Sequence, residues 1–110
     1  IEYVQSRIIR IEGEGYVKLT SLMSEFAQRA WEYIYIDGGP TLIAELLDQN
    51  LLDELFVTIA PKIFGSETGK TMTLAEGKLF EPDKIKQFKL ISSEVIGDEV
   101  FVRYRITEQV

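Results

Sequence analysis

Apolar residues recur at helical spacing in two stretches of the chain. Residues 20–30 carry them three and four positions apart, which predicts an amphipathic helix with Thr20 or Ser21 as its N-cap. Between residues 41 and 50 a second stripe predicts another helix, which ends near Asn50. The apolar positions of this second stripe are Leu42, Ile43, Leu46 and Leu47.

Strand patterns occupy much of the remaining chain. Residues 33–36 are β-favouring without polar alternation, which predicts a strand buried on both faces, as in a parallel sheet. The apolar run at 55–60 predicts the next strand. Residues 33–60 would therefore form a β-turn-α-β unit with a right-handed crossover.

The two ends of the chain complete the predicted sheet. Residues 6–12 alternate loosely, which suits a short strand. Near the other end, the strand-like segments 89–96 and 99–106 are separated by Gly97-Asp98, a strong hairpin signal. The whole pattern predicts an α/β fold with a mixed sheet, which opens as a βαβαβ unit and closes with an antiparallel hairpin.

Composition narrows the possible functions. The 110 residues suit one small domain or part of one, and the net charge of −6 disfavours nucleic acid as a partner. No apolar run reaches the roughly 18 residues of a membrane helix, and no signal-peptide layout opens the chain, so we expect no membrane partner and a cytoplasmic location. With neither cysteine nor histidine, serine triads, thiol catalysis and His- or Cys-ligated metals are excluded within the chain.

The turn Gly38-Gly39-Pro40-Thr41 joins the predicted strand at 33–36 to the second helix. The first turn of a helix leaves N–H groups unpaired, and glycines there allow a phosphate to approach the backbone and permit unusual φ angles. Pro40 fits the first helical position, where no N–H is needed. The arrangement suits a diphosphate, although a tight turn that binds nothing remains the alternative.

Two other glycine-containing segments carry weaker signals. Gly13-Glu14-Gly15 is a lone Gly-x-Gly and predicts a loop. Residues 65–71 resemble a P-loop, but only three residues separate the two glycines where that motif has four. We therefore interpret residues 65–71 as a flexible loop rather than a nucleoside-triphosphate site.

Three segments in close succession carry a resemblance to a known family. Residues 35–42 (YIDGGPTL), 51–55 (LLDEL) and 60–65 (APKIFG) resemble the C-terminal reductase domain of the riboflavin-biosynthesis deaminase-reductase and its stand-alone archaeal counterpart. The similarity extends over residues 8–106. It implies a dihydrofolate-reductase-like fold and NADPH-dependent reduction of a ribosylaminopyrimidine 5′-phosphate to its ribityl form.

The resemblance also implies roles for particular residues. Asp37 would contact the substrate, although the family usually has glutamate there. We interpret Asp53 and Glu54, from their position at a turn, as carboxylates that cap backbone amides, with a direct catalytic role as the alternative. The resemblance assigns no catalytic residue. The residues that would hold the NADP diphosphate are Gly38, Gly39, Pro40, Thr41 and Leu42.

The same resemblance implies that residues 1–110 are only the C-terminal part of one reductase domain. Such a piece would lack the N-terminal half of the site, and we expect it to be inactive alone. The resemblance also implies a homodimer, so we expect the chain to associate with a second copy of itself. A related oxidoreductase with a different substrate and a non-catalytic interaction module of the same fold remain the alternatives.

Overall fold

A computed structural model describes residues 8–11 and 13–107 of the chain. The chain divides into two compact units, Ile1–Ile36 and Asp37–Val110. In the described residues, the first unit contains one helix and the second contains one helix, a short 3-10 turn and three strands. These elements are α1 (Leu19–Gln28), α2 (Pro40–Asp48), β1 (Glu54–Ile59), the 3-10 turn Pro82–Lys84, β2 (Phe88–Ile96) and β3 (Glu99–Ile106).

Helix α1 begins at Leu19, two residues before the start that a cap at Thr20 would give. Its N-cap is Lys18, and no side chain caps the helix there, so the prediction of a cap at Thr20 or Ser21 is wrong. Thr20 lies inside the first turn, where its carbonyl accepts a hydrogen bond from the Ser24 hydroxyl at 3.1 Å. The buried side chain of Leu19 extends the apolar face to the first residue of the helix.

The carboxyl end of α1 is closed by a Schellman motif. The N–H of Ala30 donates to the carbonyl of Ala27 at 3.0 Å, and the N–H of Trp31 donates to that of Phe26 at 3.2 Å. Ala30 has φ +56°, the left-handed conformation that glycine adopts more readily. The rings of Phe26 and Trp31 lie 5.5 Å apart and cover this helix end.

No strand forms at residues 33–36, so the predicted buried strand is wrong. Tyr33 and Tyr35 are 93% and 83% exposed, which is incompatible with burial on both faces. High β propensity does not create a strand by itself, because a strand needs ladder partners. Residues 8–11 also form no strand, whereas Ser6, Arg7 and Glu12 of that predicted strand lie outside the described residues.

The sheet of the second unit has the strand order β1-β3-β2. β1 and β2 both pair with β3 in antiparallel fashion, with Val57 and Val95 opposite Val102 and Val100 of β3. The predicted parallel β-turn-α-β unit and mixed sheet are therefore absent from the described residues. The position of β1 was predicted correctly, but its partner is a strand that begins forty positions after β1 ends.

The hairpin of β2 and β3 confirms its sequence signal. Gly97 has a positive φ of +60°, whereas the φ of Asp98 is not positive. This combination matches a type II′ turn with glycine at its first central position. The ladder contains a bulge between Leu90 and Ser92. One extra residue on β2 bends the strand and increases its local twist.

Helix α2 also confirms its sequence signals. Pro40 occupies the first turn, and Asn50 adopts φ +54° just beyond the end of the helix. The N–H of Leu51 donates to the carbonyl of Leu46 at 2.8 Å, which completes a second Schellman motif. Of the predicted apolar stripe, Leu46 and Leu47 are buried, and Leu42 and Ile43 are half-buried. Neither helix of the described residues has the length and apolarity needed to cross a bilayer.

We expect Ala30→Gly to raise the free energy of unfolding by about 1 kcal/mol, because glycine relieves the left-handed strain that a Cβ creates. Denaturant titration measures the change. Ala27→Gly is the matched control, since it places glycine inside α1 and should lower stability by about 1 kcal/mol. If Ala30→Gly were as destabilising as Ala27→Gly, the left-handed cap would be contradicted.

Candidate functional site

The glycine-rich turn stands at the start of α2. Gly39 is the N-cap residue, and no side chain caps the helix. Pro40 follows it and contributes no N–H group. The first intrahelical-type bond runs from the N–H of Ile43 to the carbonyl of Gly39 at 3.1 Å. The N–H groups of Thr41 and Leu42, in the first turn, therefore lie at the positive end of the helix dipole, where an anion is favoured.

Gly39 leaves open space beside this turn. Its φ of −77° and ψ of 175° are accessible to any residue, so the expected unusual φ angle is not found at this position. A Cβ added at Gly39 would meet no heavy atom within 4 Å. Glycine is thus not required here by backbone conformation or by packing, and its small size leaves room for a group outside the chain.

The predicted site residues lie along a single stretch of the second unit. Asp37, Gly39 and Thr41 are exposed, while the other three are half-buried, so the stretch is open to a ligand along its length. The exposed carboxylate of Asp37 precedes the turn, and the amides of the first helical turn follow it. Residues 37–42 therefore combine an acid, a glycine pair and a helix start within six positions.

A second segment, which the sequence did not single out, contacts this helix start. The N–H of Glu76 donates to the carbonyl of Pro40 at 3.1 Å. The carboxylate of Glu76 accepts hydrogen bonds from the backbone N–H of Thr73 and, at 2.8 Å, from its hydroxyl. These bonds, the backbone bond first, lower the pKa of Glu76. The Thr-x-x-Glu spacing of a capping box was the available sequence signal, although no helix follows it.

Lys78 connects the same segment to the other end of α2. Its Nζ lies 3.2 Å from Oε1 of Glu45 and 3.3 Å from Oδ2 of Asp48. Hydrogen bonds to Glu45 and then to Asp48 raise the pKa of Lys78. Since all three side chains are partly exposed, solvent weakens these ion pairs.

Glu54 has a structural role, but not the predicted one. Its carboxylate accepts two hydrogen bonds from the Arg103 guanidinium, both at 2.8 Å, and two from Arg105. The prediction that Glu54 caps backbone amides is therefore wrong. Asp53 contributes its carbonyl, which accepts the N–H of Ile106 at 2.9 Å. Hydrogen bonds from Arg103 and then Arg105 lower the pKa of Glu54 to about 2.

The near P-loop at residues 65–71 closes on itself. The N–H of Glu67 donates to Oγ1 of Thr71 at 2.7 Å, and Lys70 pairs with Glu67 at 2.9 Å. No helix begins after Thr71, which a P-loop requires. The segment lines an open groove of about 610 Å³. The interpretation as a loop is confirmed.

Metal binding finds no support in the part of the chain that the structure describes. Within residues 8–11 and 13–107, no group of three or more His, Cys, Asp or Glu side chains is arranged to hold a metal ion. The glycine-rich turn thus remains the candidate site that combines sequence signal and geometry.

The fold and the turn together define an α/β chain with a glycine-rich helix start, an arrangement that nucleotide-binding proteins use repeatedly. Residues 2–102 match the model of the RibD C-terminal domain, and the chain belongs to that family.

Two relatives illustrate the similarity. The riboflavin biosynthesis protein RibD of Escherichia coli is 40% identical over 89 residues, which are 81% of this chain and 24% of that protein. The 2,5-diamino-6-ribosylamino-4(3H)-pyrimidinone 5′-phosphate reductase of Methanothermobacter thermautotrophicus is 30% identical over 96 residues, which are 87% of this chain and 44% of that protein. The chain thus spans about a quarter of the first relative and less than half of the second.

A solved structure shares the fold. One crystal form of Acinetobacter baumannii RibD matches with a TM-score of 0.70 at 20% sequence identity. The match covers 84% of this chain and 25% of that protein. At this identity the likeness establishes the fold alone. The predicted membership of the riboflavin deaminase-reductase family is confirmed by the sequence matches. The likeness to RibD agrees with the predicted α/β class, whereas the predicted mixed sheet is not found in the described residues.

We expect Glu54 to contribute stability above pH 4.5 and to lose that contribution as the pH falls toward 2. The carboxyl titrates at about 2 in the folded chain and near its ordinary value of 4.5 when unfolded, so protonation first favours the unfolded chain. Unfolding by denaturant at a series of pH values measures the loss.

Glu54→Gln should flatten the pH dependence between pH 5 and 2, since the titrating group is removed. Glu94→Gln on β2, the strand on the other side of β3, is the matched control, and it should retain the steeper dependence of the unaltered chain. An equal slope for the unaltered chain and Glu54→Gln would contradict the assignment of this carboxylate to the two arginines.

Proposed function

We propose that this chain is the C-terminal part of an NADPH-dependent reductase domain of riboflavin biosynthesis. Its reaction is the reduction of a ribosylaminopyrimidine 5′-phosphate to the ribitylamino form. The observation that carries this proposal is the family match over residues 2–102, which contains the glycine-rich turn at the start of α2. The name of the archaeal relative supports the substrate class.

Residues 38–42 are suited to hold the diphosphate of NADPH. The first turn of α2 has no side-chain cap, and Gly39 has open space around it. Backbone donors and the helix dipole favour an anion at this position without any basic side chain. This explains how a chain with a net charge of −6 can accept a phosphorylated cofactor.

When bound, NADPH supplies the hydride for the reduction. The chain's own residues would bind and orient: the turn would hold the diphosphate, and Asp37 would contact the substrate through its exposed carboxylate. Aspartate is one methylene shorter than the glutamate that is usual in the family, so the substrate would have to lie closer to the backbone at this position. We assign no catalytic residue to the described chain.

The proposal includes the setting of the enzyme. The 110 residues form one part of a single reductase domain whose other part completes the site. The domain works as a homodimer in the cytoplasm on a small phosphorylated pyrimidine. The names of its bacterial and archaeal relatives support the role in riboflavin biosynthesis and the pyrimidine substrate.

We expect Gly39→Val to weaken NADPH binding by at least about tenfold, because the added side chain fills the space that the diphosphate needs. The melting temperature should hardly change, since the backbone at Gly39 suits any residue and no atom obstructs the side chain. Calorimetric titration of NADPH into the chain measures binding. Ser92→Val, on the exposed face of β2, is the control, and equal affinity of all three proteins would contradict the site.

We further expect the 110-residue chain alone to oxidise no NADPH in the presence of the ribosylaminopyrimidine substrate, because part of the site lies elsewhere in the domain. The decrease in NADPH absorbance over time measures turnover. Steady oxidation by the chain alone would contradict this expectation. Turnover of dihydrofolate instead would favour a related oxidoreductase, and absence of NADPH binding would favour an interaction module.

A chimera tests the reductase function directly. In Escherichia coli RibD, the matched quarter of the protein is replaced by this chain, and cells lacking their own RibD are grown without riboflavin. The chimera should restore growth, and its Gly39→Val counterpart should not. Growth with both chimeras would show that the turn does not serve the reaction.

A further inference from the structure

We propose that residues 73–78 form a strap that holds the first turn of α2 in the position needed for cofactor binding, with Glu76 and Lys78 as positioning residues. The inference rests on the proposed function, because it concerns the same diphosphate site. The strap is defined by its contacts with the two ends of α2 and by the bonds that close its own turn.

The first contact of the strap lies at the start of the helix. The Glu76 N–H donates to the carbonyl of Pro40, the residue directly after the Gly38-Gly39 pair. A helix start without a side-chain cap frays more easily than a capped one. This backbone bond restrains the first turn from outside the helix.

The second contact lies at the other end of α2. Lys78 bridges Glu45 and Asp48 on the exposed side of the helix. A carboxylate at a helix carboxyl terminus is opposed by the helix dipole, and the ammonium group of Lys78 offsets that repulsion at Asp48. The strap therefore follows α2 along its nine residues, which is about 13 Å of helix.

The strap keeps its shape through bonds of its own. Thr73 donates its backbone N–H and its hydroxyl to the Glu76 carboxylate, and the hydroxyl also lies 3.0 Å from the carbonyl of Ala75. These bonds fix the turn that presents the Glu76 N–H to Pro40. Opening this turn should therefore release the helix start.

A neighbouring loop offers a matched control. Glu67 and Lys70 form an ion pair at 2.9 Å, three positions apart, in a turn that is closed by hydrogen bonds within residues 67–71. The double variant Glu67→Ala/Lys70→Met changes the same residue types as Glu76→Ala/Lys78→Met. The two double variants have the same net charge.

The experiment uses the 110-residue chain with two readouts. Amide hydrogen exchange at Ile43 reports closure of the first turn, since that N–H donates to the carbonyl of Gly39. Calorimetric titration reports the Kd for NADPH. In Glu76→Ala/Lys78→Met we expect faster exchange at Ile43 and a Kd raised about tenfold. Glu67→Ala/Lys70→Met should leave both unchanged, and Lys78→Arg should retain the affinity of the unaltered chain.

Each result decides the proposal. Unchanged exchange at Ile43, or faster exchange with unchanged affinity, overturns the strap as a positioning element. If the unaltered chain binds no NADPH, the proposed function fails, and exchange at Ile43 alone then shows whether the strap holds the helix start. If circular dichroism shows that the double variant does not fold, the single variant Lys78→Met is tested with the same two readouts.

Discussion

The second unit of this chain depends on the central position of β3. Both ladders of its sheet run through this strand, which pairs with β1 on one side and with β2 on the other. The pairing joins residues that are distant in sequence, because β1 ends at Ile59 and β3 begins at Glu99. It also places Arg103 and Arg105 beside Glu54, so the main charge cluster of the unit is a consequence of the strand order.

The sequence predicted elements whose causes are local. The α2 stripe, Pro40 at its start, Asn50 at its end and the Gly97-Asp98 turn all depend on neighbouring residues, and the structure confirms each. Strand pairing depends on residues that are distant in sequence, which explains why the prediction of a parallel β-turn-α-β unit is wrong. Residues 33–36 show the same limit, since their β propensity has no pairing strand among the described residues.

The candidate site was also predictable only in part. Residues 38–42 could be recognised because helix starts and glycines have local signatures. The contact of Glu76 with Pro40 joins positions far apart in sequence, and a Thr-x-x-Glu spacing does not indicate which carbonyl the turn will meet. The arginine partners of Glu54 were missed for the same reason. What the family match adds is membership of the RibD C-terminal domain family, which the turn alone leaves open.

The shared carboxylate of Glu54 has a consequence for sequence variation. Loss of either Arg103 or Arg105 leaves the carboxylate one cationic partner, whereas loss of Glu54 removes both pairs and leaves two guanidinium groups on the same strand. The two arginines are therefore redundant partners, whereas Glu54 has no substitute. Among natural variants, we expect substitution of one arginine at a time to be tolerated. A substitution at position 54 should be accompanied by a substitution of at least one of the two arginines.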